Sequence, residues 1–527
     1  MFLARRFCQF VAGQPSSCVL FALCGVLLAF CPRSGPRSDR KVTISPETTY
    51  LVEPLRPDGY VDYRAALNAT LSQGVTPESN AVVVLWQAIG PGSLPQDAVQ
   101  YAKLLGVAPP PPSGSYYRPV SAFRIKPPPV TLPPTGIDPN DPDQQLEEAA
   151  DRPWSKQEFP AVAAWLQANS NPLRLVREAS GRPRYFNPLV GPDGTGLVTG
   201  QINLILDERD LVYLLAADAT LKIGADKLDE AWQDALTCHR LARLRAQGPM
   251  LTDNLFATSI DGIGINIDCL IAGSDKLTPQ QARRFAREFA ELPPLGSTAE
   301  TIRLGGRFWT LDAIVDLATS TTSLSWRGIF VNSAQSALPR WTPNLHLDWD
   351  ATFRLANSWI DRMAQVAAIP SPIERRKAAA TLTADLQQIV AETKRAPLNP
   401  LGYSELVASN LAEKSFAIWT LGAELSVING EDRHLDLQEM CRVAFALAAY
   451  RIDHGKYPVA LSELTPRYIN AVPKDRFTGW DFHYKLETNG YVLYGSNSDG
   501  SDPPLTDPTG DPLQERVGIR VPPKTNN

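Results

Sequence analysis

Apolar residues recur at helical spacing through most of positions 144–430. The pattern predicts helices over 211–223, 227–247, 251–272, 278–292, 301–318, 351–366, 372–394 and 404–428. The breaks between them are short, such as Gly248-Pro249 and Gly273-Ser274, so neighbouring helices should run antiparallel. Thr278-Pro279-Gln280-Gln281 supplies a cap, a proline at the first helical position and an amide at the third. Between 184 and 206 the period lapses into turn-bounded runs that predict a strand pair or an ordered loop. Upstream, Val61, Ala65, Ala66 and Leu67 mark one helix after the Asp58-Gly59 turn. A second, capped by Thr76 with Pro77 behind it, should run through 82–89 and stop at Gly90-Pro91-Gly92. Beyond 430, Leu437, Met440, Ala444, Leu447 and Ala448 predict a helix over 435–453, followed by a short helix at 461–464 and strands at 481–486 and 491–494. The expected fold class is mainly α: an irregular antiparallel helical bundle or hairpin stack with a small C-terminal α+β module.

Proline punctuates this pattern unevenly. It accounts for 46 of 527 residues, and 12 of these lie in the 36 residues from 108 to 143. Such a run favours extended backbone, so it reads as a strap, with Tyr116, Tyr117 and Phe123 suited to docking it on its own protein. The chain therefore divides into a leader and tether (1–40), a small helical segment (41–107), the strap (108–143), a helical body (144–430), the C-terminal module (431–515) and a tail (516–527).

The leader suggests an address. Residues 18–31 form a 14-residue run without charge behind Arg5 and Arg6, the length of a signal-peptide apolar region rather than of a full span. A cleaved signal, an anchor lengthened by residues 7–13, or lipidation at Cys31 remain alternatives. Arg33, Arg37, Arg40 and Lys41 oppose translocation, and Phe30 sits where a lipidation motif has a small residue. Each of these readings exports the chain or ties it to a membrane, hence to the cell envelope, where other proteins are the expected partners; the other reading, a buried apolar helix of a cytoplasmic protein, is disfavoured by the polar, proline-containing stretch 32–45 that separates the run from any core. Charge points the same way. Residues 1–41 carry a net charge of +5 within a chain of −5, leaving −10 on the remainder, which repels phosphate backbones and argues against nucleic acid.

The search for chemistry finds no phosphate-binding loop, dinucleotide fingerprint, zinc-protease helix or nucleophile elbow. His239, His346, His434, His454 and His483 lack metal-ligand spacing, and Cys238, Cys269 and Cys441 suit buried apolar positions. One polar stripe stands out: Asn254, Asp261 and Asp268 repeat every seven residues on an otherwise apolar helix, with Gly262 and Gly264 permitting close approach. On a surface helix this stripe is a solvated face. On a central helix it is a row of buried carboxylates with raised pKa values, which makes Asp261 and Asp268 the candidate catalytic pair. Asp348 and Asp350 read as loop caps.

From His454-Gly455-Lys456-Tyr457-Pro458, through Leu461 to Leu464, to Val472-Pro473-Lys474-Asp475 and Phe477-Thr478-Gly479, the order of helix, turns, hairpin and Asp/Gly-rich loop resembles the globular part of the type II secretion major pseudopilin. That resemblance implies a calcium site in the last loop, with Asn497, Asp499, Asp502 and Asp507 as oxygen donors. Prolines 503, 504 and 508 depart from the pattern, and the distant leader removes any implication of pilus assembly. The segments DGYVDYRAALN (58–68), GVTPESNAVVVLWQAIGP (74–91) and AWQDALTCHRLARLRAQGP (231–249) also make the chain look like a family of large envelope proteins of planctomycete-type bacteria, which implies address and architecture but no activity. The expectation is a noncatalytic binding or scaffolding protein of the envelope. The alternative is a carboxylate-dependent hydrolase with its site in the helical body.

Overall fold

A computed structural model describes residues 42–93, 98–123, 141–191, 203–319, 348–395, 405–497 and 516–522, together with Leu197, Ser501 and Leu513. In chain order the helices are α1 (Tyr63–Leu71), α2 (Ala81–Ile89), α3 (Ala98–Leu105), α4 (Pro142–Asp151), α5 (Pro160–Ala168), α6 (Ser170–Ser180), α7 (Asn203–Gly224), α8 (Leu228–Arg245), α9 (Leu251–Gly273), α10 (Pro279–Ala290), α11 (Thr298–Thr301), α12 (Arg307–Thr319), α13 (Trp349–Ala367), α14 (Pro372–Arg395) and α15 (Glu405–His454). Three strands follow: β1 (His483–Glu487), β2 (Gly490–Tyr494) and β3 (Gly518–Val521). They form one antiparallel sheet in the order β1-β2-β3. The molecule is mainly helical with a small sheet.

The cap at α10 forms as its residues dictate: Thr278 Oγ1 accepts from the Gln281 amide and Gln281 Oε1 accepts from the Thr278 amide. At α2 the cap is Asn80, four residues beyond Thr76. Asn80 Oδ1 accepts from the backbone of both Val82 and Phe186, which a threonine hydroxyl at 76 could not reach, and Thr76 instead closes a turn with Ser79. The segment 184–191 is an ordered loop joined to Asn80 by one isolated bridge, and α7 begins at Asn203, inside the stretch where the sequence suggested strands.

Apolar faces gather α2 to α10, α15 and the sheet around one core, with Trp86, Trp165, Trp232, Phe285 and Phe445 fully buried. Trp232 stacks on Phe285 and meets Phe445 edge-on, so α8, α10 and α15 share an aromatic contact. Residues 42–71 pack separately, against α12 and α13, with Tyr63, Leu67, Leu311, Ile314 and Phe353 at the centre. The described part of the strap lies on its own protein. Tyr117 donates its amide to Ala88, Trp165 donates to the Arg118 carbonyl, and the Tyr116 ring covers Gly90, where a Cβ would fall 2.5 Å from ring carbon. Residues 124–140 of the strap lie outside the described residues.

A single 50-residue helix, α15, replaces the two helices expected on either side of 430. It packs on α9, α10, α13 and α14, and carries the sheet through β3. The helical body and the C-terminal module are consequently joined by one continuous element and one core.

Candidate functional site

The polar stripe of α9 faces inward. Asp261 and Asp268 are fully buried, so the solvated face is excluded, and both meet the same side chain, His239 of α8. The short 246–250 connection folds α9 back on α8, and Gly264, one turn past Asp261, lets the imidazole lie against the α9 backbone. A Cβ there would sit 2.7 Å from His239 Cε1. His239 Nδ1 lies 2.7 Å from Asp261 Oδ1, and Nε2 lies 3.0 Å from Asp268 Oδ2. A carboxylate oxygen only accepts, so both ring nitrogens carry protons and the ring is an imidazolium between two anions. Burial opposes that charge, but Asp261 and Asp268 outweigh it and raise the His239 pKa to about 9.

The third wall is α15, which places His434, Gln438 and Cys441 on one stripe by steps of four and three. His434 Nε2 donates to Asp261 Oδ2 at 2.7 Å, Gln438 Nε2 to the same oxygen at 2.8 Å, and Cys441 Sγ to Asp268 Oδ2 at 3.2 Å. Arg243, one turn beyond His239, donates Nη1 to Asp261 Oδ1 at 2.7 Å. Asp261 thus receives two donors on each oxygen. The expectation of a raised pKa fails for this residue: burial alone would raise it, but the His239 charge and the bonds from His239 and His434 hold it well below the usual carboxylate range. Asp268 Oδ1 and His434 Nδ1 are buried and have no hydrogen-bond partner among the described residues. The formal charges of His239, Arg243, Asp261 and Asp268 cancel, so the junction ties three helices without burying net charge.

Asn254, the third member of the stripe, stays apart from this junction and donates to Thr301 Oγ1 at 3.1 Å. Cys238 and Cys441 are buried thiols pushed up by desolvation, the wrong direction for a nucleophile. Asp348 caps α13 through the Ala351 amide, and Asp350 accepts from the Thr43 amide. His454 contacts Tyr450 and Tyr468, His483 stacks on Tyr494, and His346 lies outside the described residues.

Of the residues named for calcium, Asp499, Asp502 and Asp507 lie outside the described residues, and Asn497 accepts from the Arg516 guanidinium through its amide oxygen. No group of three His, Cys, Asp or Glu among the described residues is arranged to hold a metal.

A second ionic cluster, unmarked by the sequence, lies where residues 55–62 meet α12. The Arg56 Nη1 atom is 3.8 Å from both Asp312 and Asp316, and Nε is 3.4 Å from Asp58. Three carboxylates face one guanidinium. Burial and the Asp316 charge push Asp312 up to about 7 against the pull of Arg56. Burial likewise pushes Asp316 up to about 6.

No protein-family profile, curated protein or solved structure matches this chain.

Proposed function

We propose that this chain is an exported or membrane-tethered protein of the cell envelope that binds or scaffolds other proteins and catalyses no reaction. The observation that carries the noncatalytic part is the saturation of Asp261: four donors from two neighbouring helices occupy a carboxylate with no exposed surface. A general base needs an open lone pair within reach of substrate. The rival, a hydrolase acting through Asp261 and Asp268, draws support from Asp268 Oδ1, which has no hydrogen-bond partner among the described residues although the same carboxyl meets His239. Asp261→Asn separates the two. Catalytic carboxylates are usually held at some expense of stability, so their neutralisation is neutral or stabilising, whereas removal of a structural anion from beside an imidazolium is strongly destabilising. Loss of stability in urea supports the scaffold reading, and a gain overturns it.

The envelope address rests on the uncharged run 18–31 and its basic flanks. It is tested by fractionating cells and sequencing the mature amino terminus, where a cytoplasmic chain starting at Met1 would overturn it. We also read the C-terminal module as pseudopilin-like. In support, α15 is followed by a turn at Gly455, a 3-10 turn over Leu461–Leu464 and an antiparallel sheet, with Asp475 pinning the loop before β1 to the end of β2 through the Phe477 and Ser496 amides. Chelator titration during thermal melting tests calcium, and an unchanged melting temperature removes it from this reading.

A further inference from the structure

The first described segment turns three large apolar side chains at least partly to solvent. Tyr50, Val52 and Leu55 are 47%, 48% and 49% exposed, three of the few large apolar side chains turned to solvent among the described residues. Their neighbours pack inward: Ile44 and Leu51 lie against the Phe308–Leu311 core, so the segment is anchored and its outer side chains are held in place. Tyr50 has φ +62°, a conformation that a bulky residue adopts only when its surroundings impose it. The Arg307 guanidinium, 4.3 Å from the ring centroid, and Phe308 fix the ring there.

The chain outside the structure says what covers this face. Ten residues, 32–41, separate the uncharged run 18–31 from Val42. Ten residues reach at most about 36 Å. They carry Arg33, Arg37, Arg40 and Lys41 against Asp39, a charge balance suited to anionic headgroups. We infer that Tyr50, Val52 and Leu55 form a membrane-facing surface that rests on the interfacial region of the bilayer holding the leader. This rests on the membrane-tethered form of the reading above. Three half-exposed side chains are too few to bind lipid alone, but a short tether converts that contact into an intramolecular one at high effective concentration.

The test uses the full chain reconstituted in phosphatidylcholine/phosphatidylglycerol vesicles. Val52→Cys and Val459→Cys variants are labelled with a membrane-impermeant maleimide and referred to the unsubstituted chain. Val459 is 78% exposed on the C-terminal module, and Cys238, Cys269 and Cys441 are buried. The expected result is labelling about tenfold slower at 52 than at 459. Inserting a 40-residue Gly/Ser spacer after Ser38 should remove most of that difference, because effective concentration falls roughly as the −3/2 power of tether length, about tenfold here. Equal rates in a vesicle-bound chain overturn the inference and leave the tether intact. Slow labelling at 52 that survives the spacer overturns it in favour of cover from within the chain. A chain that does not sediment with vesicles overturns the tether, and this inference with it.

Discussion

Two ionic clusters in this molecule, one fully buried and one partly so, solve the same problem differently. Where α8, α9 and α15 meet, two carboxylates face an imidazolium and a guanidinium at hydrogen-bond distance. Where residues 55–62 meet α12, one guanidinium faces three carboxylates at 3.4–3.8 Å. The first balances its charge and draws an aspartate pKa down. The second leaves anions in excess and pushes two aspartates toward neutral pH. A buried carboxylate is thus no marker of chemistry by itself; its partners decide whether it is a tie or a titrating group.

The sharpest way to break the balanced cluster is to remove its centre. His239→Ala leaves Asp261 and Asp268 buried on one face of α9 without the cation between them, and one-sided loss from a buried ion pair destabilises by about 3–5 kcal/mol. Urea denaturation should show that loss, and a change below about 1 kcal/mol would mean that the imidazolium is not the tie. The same residue sets a pH signature. Its folded pKa lies above the unfolded value of 6.5, so its stability is fully present below pH 6.5 and is lost as pH rises through about 9.

The anion-rich cluster titrates lower. The folded pKa of Asp312, about 7, exceeds its unfolded 3.8, so its contribution is fully present below pH 3.8 and is lost as pH rises through about 7. Asp312→Asn keeps an acceptor for the Leu197 amide while deleting the charge. At pH 8 it should stabilise the protein by about 2 kcal/mol, less than the full linkage value because Asp316 shares the titration. It should also flatten the stability profile between pH 4 and 7. A destabilised variant at pH 8 would show that Arg56 needs that charge more than the recess resists it.

Much of the framework was legible because it is local. The α10 cap needed only four residues, and the 251–272 expectation differs from α9 by one residue. What escaped depends on partners distant in the chain. A seven-residue repeat in Asp261 and Asp268 defines a stripe but not the side it faces. That side is set by His239, 22 residues upstream of Asp261, and by His434, 173 residues downstream. The stripe His434, Gln438, Cys441 was readable by the same spacing rule, yet its polar residues fell near the break expected between 428 and 435. Helix α15 runs through Gly430 because packing against α13 and α14 outweighs the ~1 kcal/mol that glycine subtracts from a helix interior. Strand β3 escaped for another reason: four residues beyond a proline-rich loop carry too little pattern until β2 is beside them.

A subtler disturbance of the balanced cluster keeps every charge. In Gly264→Ala the new Cβ would lie 2.7 Å from His239 Cε1 and 3.0 Å from both ring nitrogens. The ring is pinned on both sides, so it cannot retreat without lengthening a bond to an aspartate. Overpacking of this kind destabilises by about 1–3 kcal/mol, while alanine adds up to about 1 kcal/mol of helix propensity. The net expectation is a loss of about 1 kcal/mol together with a lower His239 pKa, followed by NMR titration of the imidazole. A more stable variant would show that the ring has room the geometry denies it.

The smallest effect concerns the less satisfied aspartate. Asp268 receives His239 and the Cys441 thiol on Oδ2, while its Oδ1 has no partner among the described residues. Cys441→Ala removes the weaker donor and leaves a buried anion held by one hydrogen bond, for a loss of about 1 kcal/mol. Cys441→Ser restores an O–H donor at a slightly shorter reach, and should recover part of that loss if donation is what matters. An alanine variant as stable as the serine variant would assign the Cys441 contribution to packing, and would leave His239 as the side chain that ties Asp268 to the junction.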